Sequence, residues 1–501
     1  MNYNSTRNKN RVVSASQAIA QGISEEGGLF VPQELPRYSV DDIRELLSAD
    51  YRGRAKKIMG DFLPDFSAEE ISESVDAAYT AEKFGGNDPA PISYIESGDR
   101  KMALLELWHG PTCAFKDMAL QILPHLLTKS VKKTCSDKEA VILVATSGDT
   151  GKAALEGFRD VDGTKIMVFY PVDGVSPMQK RQMSTQKGEN VSVVAIKGNF
   201  DDAQTGVKKI FTDNAIKEKL AENDMLFSSA NSINWGRLLP QIVYYFSAYC
   251  EMVNEGKIAL GDKINVCVPT GNFGNILASF YAMRMGLPVN KFICASNSNN
   301  VLTDFIKTGT YDKKRHFYTT ISPSMDILVS SNLERLLYHL SGEDDKKVAS
   351  FMASLSSEGA YTVDEEIKAS LEKYFWGGYC NDADTQKTIG DLYKNENYLA
   401  DTHTAVAVNV YEQYVSETGD NTPVVIASTA SPYKFAKAVL SAVTDGELPS
   451  DEFAMVDELS AKTGTEIPAP LAGLKNAQER FSFECAVDEM AQTVLSGLGI
   501  N

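Results

Sequence analysis

The sequence has few of the residues that disulfide frameworks and metal sites require. Its seven cysteines are scattered without a C-x-x-C pair, and only five histidines occur in 501 residues. The cysteine pattern is typical of a chain in a reducing compartment, so we expect a cytoplasmic protein. No histidines are spaced as metal ligands, so we expect no bound metal.

Positive charge and long apolar runs are also scarce. The chain has 49 Lys and Arg residues against 67 Asp and Glu residues, and its formal net charge is −18. Nucleic acids and anionic membranes select basic surfaces, so neither is expected as a main partner. No run of 18 apolar residues occurs, and residues 1–11 lack an apolar core. We therefore expect neither a membrane span nor a secretory signal.

The length predicts more than one domain, because a single hydrophobic core stops growing at roughly 250–300 residues. Residues 1–90 contain capping residues followed by helical apolar periods, for example after Ser39, and predict a mostly helical N-terminal domain. We expect the main domain at 91–445, with a helical insertion at 335–400. Residues 446–501 are expected to form a C-terminal extension.

From about residue 95 onwards, apolar runs of strand length alternate with helical stretches. These runs begin at Ala140, Lys165, Val191, Ile264, Phe292 and Val424. Most lack polar alternation, which is typical of strands buried on both faces of a parallel sheet. The alternation predicts the α/β class, in which ligands bind beyond the carboxyl ends of the strands. The loops at those ends are therefore the candidate sites.

A candidate nucleophile lies in residues 109–121, with the sequence HGPTCAFKDMALQ. Asp117 resembles the N-cap of a following helix, which would place Lys116 just before a helix N-terminus. The helix dipole and partial burial after Phe115 both lower the pKa of a lysine. They favour the free amine that Schiff-base chemistry needs. A surface lysine that extends its charge into water is the alternative.

A candidate phosphate loop connects a predicted strand to a helix predicted at 276–285. Its sequence is TGNFGN, over residues 270–275. Gly271 and Gly274 allow the backbone to curve around a ligand, and the helix N-terminus offers unpaired N–H groups to a phosphate. The G-x-x-G spacing differs from the dinucleotide fingerprint. A tight strand-to-helix turn explains the loop equally well.

A third loop, ATSGDTGK at 145–152, suggests a P-loop because Gly-Lys follows a strand. Only two residues separate Gly148 from Gly151, and no Ser or Thr follows the lysine. A P-loop needs four residues between the glycines and a hydroxyl after the lysine. Ser147 and Thr150 are still hydroxyls at a predicted helix start, suited to a carboxylate or phosphate. A capped helix N-terminus without a ligand is the alternative.

A fourth polar cluster precedes another helical stretch. It consists of Asn231, Ser232, Asn234 and Arg237. Arginine can bind two phosphate oxygens at once. Taken alone, this cluster is better explained as a polar turn with a solvated arginine. Near the C-terminus, Thr429 places a hydroxyl just after a predicted strand, and nothing else about it is diagnostic.

Taken in order, these segments resemble the threonine synthase family, whose members use pyridoxal phosphate (PLP) and have the tryptophan-synthase β-subunit fold. The resemblance covers most of the chain and rests on the segments YNSTR, AIAQG, GGLFVP, HGPT, FKD, TSGDTG, NSINWGR, GNFGN, STA and KF. Any one of them is weak, but together and in this order they are specific. The resemblance implies an α/β catalytic domain of two lobes, with parallel twisted sheets flanked by helices.

The resemblance also implies roles for individual residues. Lys116 would form the Schiff base with pyridoxal 5'-phosphate, and Thr429 would contact the pyridine nitrogen. Asp149 would lie near the cofactor 3'-oxygen, where the wider fold often has Asn. The cofactor phosphate would be held by Gly271, Asn272, Phe273, Gly274 and Asn275. The substrate would be held by Ser147, Thr150, Asn231, Ser232, Asn234 and Arg237.

The implied activity is conversion of O-phospho-L-homoserine and water to L-threonine and phosphate, by γ-elimination and β-hydration. Whether the enzyme is a monomer or a dimer stays open. Alternatives on the same fold are a threonine or serine dehydratase, a cysteine synthase, and a phospholyase that ends at 2-oxobutyrate. The Asn231–Arg237 cluster and the N-terminal segments favour threonine synthase. A nucleotide-binding switch or kinase and a catalytically silent cofactor-binding protein are alternatives from other classes.

Overall fold

Strands and helices alternate along the chain in a computed structural model that describes residues 1–97, 100–135, 137–146, 148–172 and 175–500. The strands are β1 (Tyr3–Ser5), β2 (Asn8–Val13), β3 (Phe30–Pro32), β4 (Ile92–Ser97), β5 (Arg100–Glu106), β6 (Glu139–Ala145), β7 (Thr164–Pro171), β8 (Val191–Lys197), β9 (Met225–Ser228), β10 (Ile264–Pro269), β11 (Val289–Ser296), β12 (Thr310–Asp312), β13 (Ala360–Thr362), β14 (Phe375–Tyr379), β15 (Val424–Ser428) and β16 (Glu484–Ala486).

The helices lie between these strands and on both sides of the sheets. They are α1 (Ala15–Gln21), α2 (Val40–Leu47), α3 (Tyr51–Phe62), α4 (Ala68–Ala78), α5 (Ala81–Phe84), α6 (Asp117–Leu120), α7 (Leu123–Cys135), α8 (Asp149–Phe158), α9 (Pro177–Ser184), α10 (Phe200–Thr212), α11 (Asn214–Glu222), α12 (Trp235–Asn254), α13 (Gly274–Met285), α14 (Val301–Thr308), α15 (Leu333–Leu340), α16 (Asp345–Ser357), α17 (Glu365–Tyr374), α18 (Asp382–Glu396), α19 (Thr402–Thr418), α20 (Ala436–Val443), α21 (Glu452–Thr463), α22 (Ala469–Ala472) and α23 (Met490–Leu498). Short 3-10 turns lie at Pro323–Met325, Pro432–Phe435, Leu474–Asn476 and Val487–Glu489. Within the described parts of the chain, no helix is long and apolar enough to span a bilayer.

The N-terminal region combines helices with a small sheet. Its helices begin where capping residues predict them, and Ser39 accepts a hydrogen bond from the Asp42 N–H at the start of α2. It also contains a three-stranded antiparallel sheet in the order β2-β1-β3, which a mostly helical prediction did not include. All three residues of β1 are buried. Because this short strand lacks polar alternation, it gives no strand signal in the sequence.

The larger sheet has six strands in the order β14-β11-β10-β15-β5-β4, and only β4 runs antiparallel to its neighbour. Its edge strand β14 comes from residues 335–400, which were expected to be a helical insertion. That segment is largely helical, but through β14 it belongs to the main sheet. The sequence of β14 is FWGGY, and its two glycines weaken the strand signal.

The second sheet has five parallel strands in the order β16-β8-β7-β6-β9. Its edge strand β16 comes from residues 446–501, so the expected C-terminal extension completes this sheet. In both sheets the central strands are buried on both faces, and all six residues of β10 are buried. This confirms the α/β prediction and the buried parallel strands.

Loops at the carboxyl ends of strands from the two sheets meet, since the Lys434 ammonium after β15 lies 2.7 Å from the Asp149 carboxylate after β6. Lys116 follows β5, Asp149 follows β6, Gly271 follows β10, and Thr429 follows β15. Loops at the carboxyl ends of parallel strands are where α/β proteins bind ligands. The fold therefore collects the predicted site residues from distant parts of the sequence.

Candidate active site

The loop that carries Lys116 is paired with the segment after β15. The backbone N–H of Phe115 donates a hydrogen bond of 2.8 Å to the Thr429 carbonyl oxygen. Lys116 occupies the N-cap position of α6, and Asp117, which was expected there, is the first helical residue. The carboxylate of Asp117 is buried and accepts hydrogen bonds from the Thr112 backbone N–H at 2.8 Å and hydroxyl at 2.7 Å. It therefore holds the preceding loop instead of capping the helix.

The amine of Lys116 lies in an environment that favours its neutral form. Removal from water lowers the pKa of Lys116 to about 8. The charge of Asp149 opposes this shift in pKa, while the charges of Lys434 and Arg237 add to it. The amine donates a long hydrogen bond of 3.4 Å to the Ser324 hydroxyl. Because a substantial fraction of this lysine is uncharged near neutral pH, it can act as a nucleophile and as a base.

The loop at 271–275 forms a concave turn at the start of α13. Phe273 adopts the left-handed conformation, with φ of 63°. A Cβ atom on Gly271 would lie 2.6 Å from the Ser324 carbonyl oxygen, so only glycine fits without displacing the backbone. Asn275 accepts a hydrogen bond from the Tyr245 hydroxyl, but its buried Nδ2 has no partner among the described residues. A helix N-terminus beside an unpaired amide donor fits a phosphate group.

The backbone of this loop is held from the side by α15. The Asn272 carbonyl oxygen accepts hydrogen bonds from the Asn332 backbone N–H at 3.1 Å and side-chain amide at 3.0 Å. The Gly271 carbonyl oxygen accepts one from the Ser330 hydroxyl at 2.6 Å. These bonds satisfy the outward-facing carbonyl groups, which leaves the N–H groups of the turn available for an anion.

The loop before α8 is organised by Thr146. Its hydroxyl accepts hydrogen bonds from two backbone N–H groups at the start of the helix. Thr150 is half-buried in the first turn, whereas Ser147 lies outside the described residues. Lys152 pairs with Glu156 at 3.2 Å inside the same helix. The lysine that suggested a P-loop is therefore occupied in a structural ion pair, which disfavours the nucleotide-binding interpretation.

Asp149, the first residue of α8, is buried beside a second lysine. The Lys434 ammonium lies 2.7 Å from the Asp149 carboxylate. Lys434 also donates a hydrogen bond of 2.8 Å to the Thr112 carbonyl oxygen. The Gln179 amide donates to the same Asp149 oxygen at 3.2 Å. The acid at this position is therefore part of a buried ion pair that the sequence did not reveal.

Arg237 lies in the first turn of α12 and is only 3% exposed. Its Nη1 donates a hydrogen bond of 2.9 Å to the Ala230 carbonyl oxygen, while the buried Nε has no partner within the described part of the chain. Loss of hydration lowers the pKa of Arg237 to about 10. Such a guanidinium is charged at neutral pH and retains a donor for an anionic ligand. This contradicts the isolated interpretation as a solvated arginine.

The other residues of the 231–237 cluster differ in their surroundings. Asn231 is exposed and Ser232 is half-buried. Asn234 is fully buried and caps α12, since its side-chain oxygen accepts from the Gly236 N–H. Its amide donates to the Ile19 carbonyl oxygen at 2.9 Å and to the Ser229 carbonyl oxygen at 2.8 Å. Asn234 was expected to hold substrate, but these bonds already occupy its amide, so it fixes the turn that carries Arg237.

The sequence did not indicate a buried acid–histidine pair behind Ser324. Nε2 of His403 accepts a hydrogen bond of 3.1 Å from the Ser324 backbone N–H. The histidine proton therefore lies on Nδ1, which is 2.9 Å from the Asp401 carboxylate. This arrangement fixes the 3-10 turn Pro323–Met325, whose Ser324 contacts Lys116. A single histidine at a helix start has no motif that would have identified it.

The buried Arg335 is another residue that the sequence did not identify. Its guanidinium donates hydrogen bonds to the Phe30 carbonyl oxygen at 2.9 Å, the Asn332 side-chain oxygen at 2.5 Å and the Ile233 carbonyl oxygen at 2.6 Å. These partners belong to the N-terminal sheet, the support of the glycine loop and the turn before Arg237. Arg335 therefore connects three parts of the structure that surround the site.

Three groups together fit PLP: the lysine with a lowered pKa, the glycine loop with its unpaired amide donor, and the hydroxyl of Thr429. With the two-sheet fold they define a PLP-dependent enzyme. The family model for pyridoxal-phosphate dependent enzymes matches residues 96–429. Models for the threonine synthase N terminus and C-terminal region match 2–79 and 404–493. The chain belongs to the threonine synthase family.

Known proteins resemble the chain over most of its length. Threonine synthase of Pseudomonas aeruginosa is 35% identical over 481 residues, which cover 96% of this chain and 95% of that protein. A crystal structure of PLP-bound threonine synthase from Brucella melitensis has a TM-score of 0.88 at 34% identity and covers 99% of both chains. Human threonine synthase-like 1 is 41% identical over 443 residues, which cover 86% of this chain. The chain spans 58% of the length of that relative.

Proposed function

We propose that the chain is a threonine synthase, which converts O-phospho-L-homoserine and water to L-threonine and phosphate. The observation that carries this proposal is a second anion-binding donor in the site. Asn275 offers an unpaired amide in the glycine loop, and Arg237 offers an unpaired guanidinium nitrogen at the start of α12. The charge of Arg237 also lowers the pKa of Lys116. One donor suits the cofactor phosphate, and the other suits a phosphorylated substrate.

Within this proposal PLP supplies the electron sink for charge that develops at the substrate Cα. Lys116 moves the Cα proton, and its pKa of about 8 allows it to serve as base and acid in turn. The Ser324 hydroxyl accepts a hydrogen bond from this amine and so helps to position it. With the cofactor bound, the Thr429 hydroxyl would contact the pyridine nitrogen, and Asp149 would lie near the 3'-oxygen.

The remaining donors divide between the two phosphate groups. The turn at 271–275 holds the cofactor phosphate with backbone N–H groups and the Asn275 amide. Arg237 holds the leaving phosphate of the substrate, and Ser232 and Asn231 line the same turn. Thr150, in the first turn of α8, would bind the substrate carboxylate or phosphate, and Ser147 keeps the same expected role from the sequence. A chain with net charge −18 repels anions at long range, so recognition of a dianion depends on these local donors.

Product analysis tests the proposal. The PLP-loaded protein is incubated with O-phospho-L-homoserine in ¹⁸O-labelled water, and phosphate, threonine and 2-oxobutyrate are measured separately. We expect phosphate and threonine in equal amounts, with label in the threonine hydroxyl. Phosphate accompanied by 2-oxobutyrate would instead assign a phospholyase, and an absence of phosphate release would exclude both activities. Lys116→Ala should abolish turnover, whereas replacement of the exposed Lys132 on α7 by Ala should preserve it.

A further inference from the structure

We propose that Lys434 is a positioning residue of this site, whose buried ammonium pairs with Asp149 and neutralises its charge. Without this partner, the Asp149 carboxylate would favour the protonated form of the Lys116 amine. The inference rests on the proposed role of Lys116 as the cofactor lysine. It does not depend on which amino acid the enzyme converts.

The two charged groups come from different sheets and are both inaccessible to water. Lys434 lies in the 3-10 turn Pro432–Phe435 after β15, and Asp149 begins α8 after β6. Their side chains are 0% and 2% exposed, and the ammonium lies 2.7 Å from the carboxylate. Lys434 makes its other hydrogen bond to the Thr112 carbonyl oxygen. That bond ties the pair to the loop that carries Lys116.

The pair stabilises two charges that burial alone would disfavour. Burial raises the pKa of Asp149, but the charges of Lys434 and Lys116 and the hydrogen bonds of Asp149 outweigh it and hold that pKa well below its usual range. The carboxylate is therefore ionised at neutral pH. A buried carboxylate without a partner would be strongly disfavoured.

The two members of the pair act on Lys116 in opposite directions. The negative charge of Asp149 raises the pKa of Lys116, and the positive charge of Lys434 lowers it. Because these contributions oppose each other, loss of hydration remains the main influence on the pKa of Lys116. An aspartate paired with a lysine carries the same net charge as an asparagine. The pair therefore allows an acid at Asp149 without the further rise in the pKa of Lys116 that an unpaired carboxylate would cause.

The test is the pH dependence of cofactor binding to the apoprotein, without substrate. Binding is followed by the visible absorbance of the lysine-bound cofactor, and its rate should follow the fraction of neutral Lys116. The midpoint is the pH at which the rate of cofactor binding reaches half of its maximum. Lys434→Met leaves an unpaired carboxylate, so we expect this midpoint to rise by about one pH unit or more, with roughly tenfold slower binding at neutral pH. Asp149→Asn leaves an unpaired cation and should lower the midpoint. The double variant should return close to the wild-type midpoint.

A control variant separates a positioning role from a structural one. Lys152→Met removes another buried lysine, which pairs with Glu156 on the same helix; it should lower the thermal stability without moving the midpoint. An unchanged midpoint in Lys434→Met, or a midpoint in the double variant that stays displaced from that of the wild type, would overturn the proposal. If Lys434→Met does not fold, the other two variants still test the proposal: the midpoint should fall in Asp149→Asn and return to the wild-type value in the double variant.

Borohydride reduction of the same samples identifies the lysine that holds the cofactor. Trapping on the peptide with Lys116 is expected in every folded variant. Trapping at another lysine would overturn the proposed site itself and not only the role of Lys434. A protein that forms no threonine but shows the expected midpoints would retain the Lys434 inference and lose the proposed substrate.

Discussion

Arg237 is the residue whose substitution most directly tests the substrate phosphate site. Arg237→Lys retains the charge but loses the paired N–H donors, so we expect a clear decrease in kcat/KM for phosphohomoserine. Arg237→Ala should cost roughly 2–4 kcal/mol in kcat/KM, as for a lost charged partner. Inhibition by free phosphate should weaken in parallel. The visible spectrum of the bound cofactor should stay the same, because we propose that residues 271–275 hold its phosphate.

Steady-state kinetics and absorption spectra of both variants provide the measurement. Arg44 on α2 is exposed, so Arg44→Ala is the matched control and should change neither. If Arg237→Ala instead weakens cofactor binding and leaves the substrate constants of the PLP-loaded fraction intact, the two phosphate sites have been assigned in the wrong order.

Substitution of Thr429 tests whether its hydroxyl contacts the pyridine nitrogen of the cofactor. A hydroxyl leaves the pyridine nitrogen largely unprotonated, whereas a carboxylate would favour its protonation. We expect Thr429→Asp to keep the cofactor bound but to lose threonine formation, and Thr429→Ser to retain it. The measurements are the cofactor content and the product distribution of both variants. Normal threonine synthesis by Thr429→Asp would show that this side chain does not face the ring.

The sequence identified residues that stand in short motifs and missed those defined by distant contacts. Lys116 and the 271–275 loop could be predicted because each lies in a local pattern with a known chemical use. Ser324 and His403 are hydrogen-bonded across 79 positions, and Lys434 reaches Thr112 across 322. Neither contact produces a local pattern in the sequence, because only the order of strands in the folded sheets brings those residues together.

At the scale of elements, the turn between β10 and α13 depends on the absence of a side chain at Gly271. In Gly271→Ala the new Cβ would lie 2.6 Å from the Ser324 carbonyl oxygen, which belongs to backbone and cannot rotate away. We expect the turn to shift and cofactor binding to weaken by roughly 1–3 kcal/mol. Equilibrium dialysis of the cofactor and thermal unfolding of the apoprotein are the measurements.

Gly274 provides a comparison within the same turn. A Cβ there would lie no closer than 3.5 Å to the nearest side chain. Gly274→Ala should therefore weaken cofactor binding much less than Gly271→Ala. Equal effects of the two substitutions would show that the close contact with Ser324 is not what makes glycine necessary.

Elements with a strong local signal were predicted correctly, and those formed by tertiary contacts were not. The six apolar runs from Ala140 to Val424 all lie within strands of the two larger sheets. The edge strand β16 has three residues, and β14 contains two glycines. Neither segment has a strong intrinsic preference for a strand, so each depends on the neighbouring strand for its hydrogen bonds. The same holds for β1 in the N-terminal sheet.

At the scale of the whole molecule, the N-terminal segment YNSTR is attached to α15, and Asn332 at the start of that helix supports the glycine loop at 271–275. The buried carboxylate of Glu334 on α15 accepts hydrogen bonds from the Thr6 hydroxyl at 2.6 Å and from Arg7 at 2.8 and 2.7 Å. Asn4 donates to the Tyr338 hydroxyl on the same helix at 2.8 Å. The YNSTR segment therefore has a structural use, which is to hold α15 in place beside the site.

Arg335, next to Glu334, extends this attachment to the site itself, because its three hydrogen bonds reach Phe30, Asn332 and Ile233. A lysine cannot span all three partners, so Arg335→Lys leaves at least two buried oxygens without a charged donor. We expect unfolding free energy to fall by roughly 2–4 kcal/mol.

Arg335 contacts Asn332, which supports the glycine loop at 271–275, and Ile233, which precedes Arg237. Cofactor binding and inhibition by free phosphate should therefore weaken together in Arg335→Lys. Chemical denaturation of the apoprotein, cofactor dialysis and phosphate inhibition measure the three effects. Arg284→Lys on the exposed side of α13 is the matched control, with changes within about 0.5 kcal/mol. If Arg335→Lys loses stability but keeps both ligand affinities, the N-terminal sheet stabilises the fold without shaping the site.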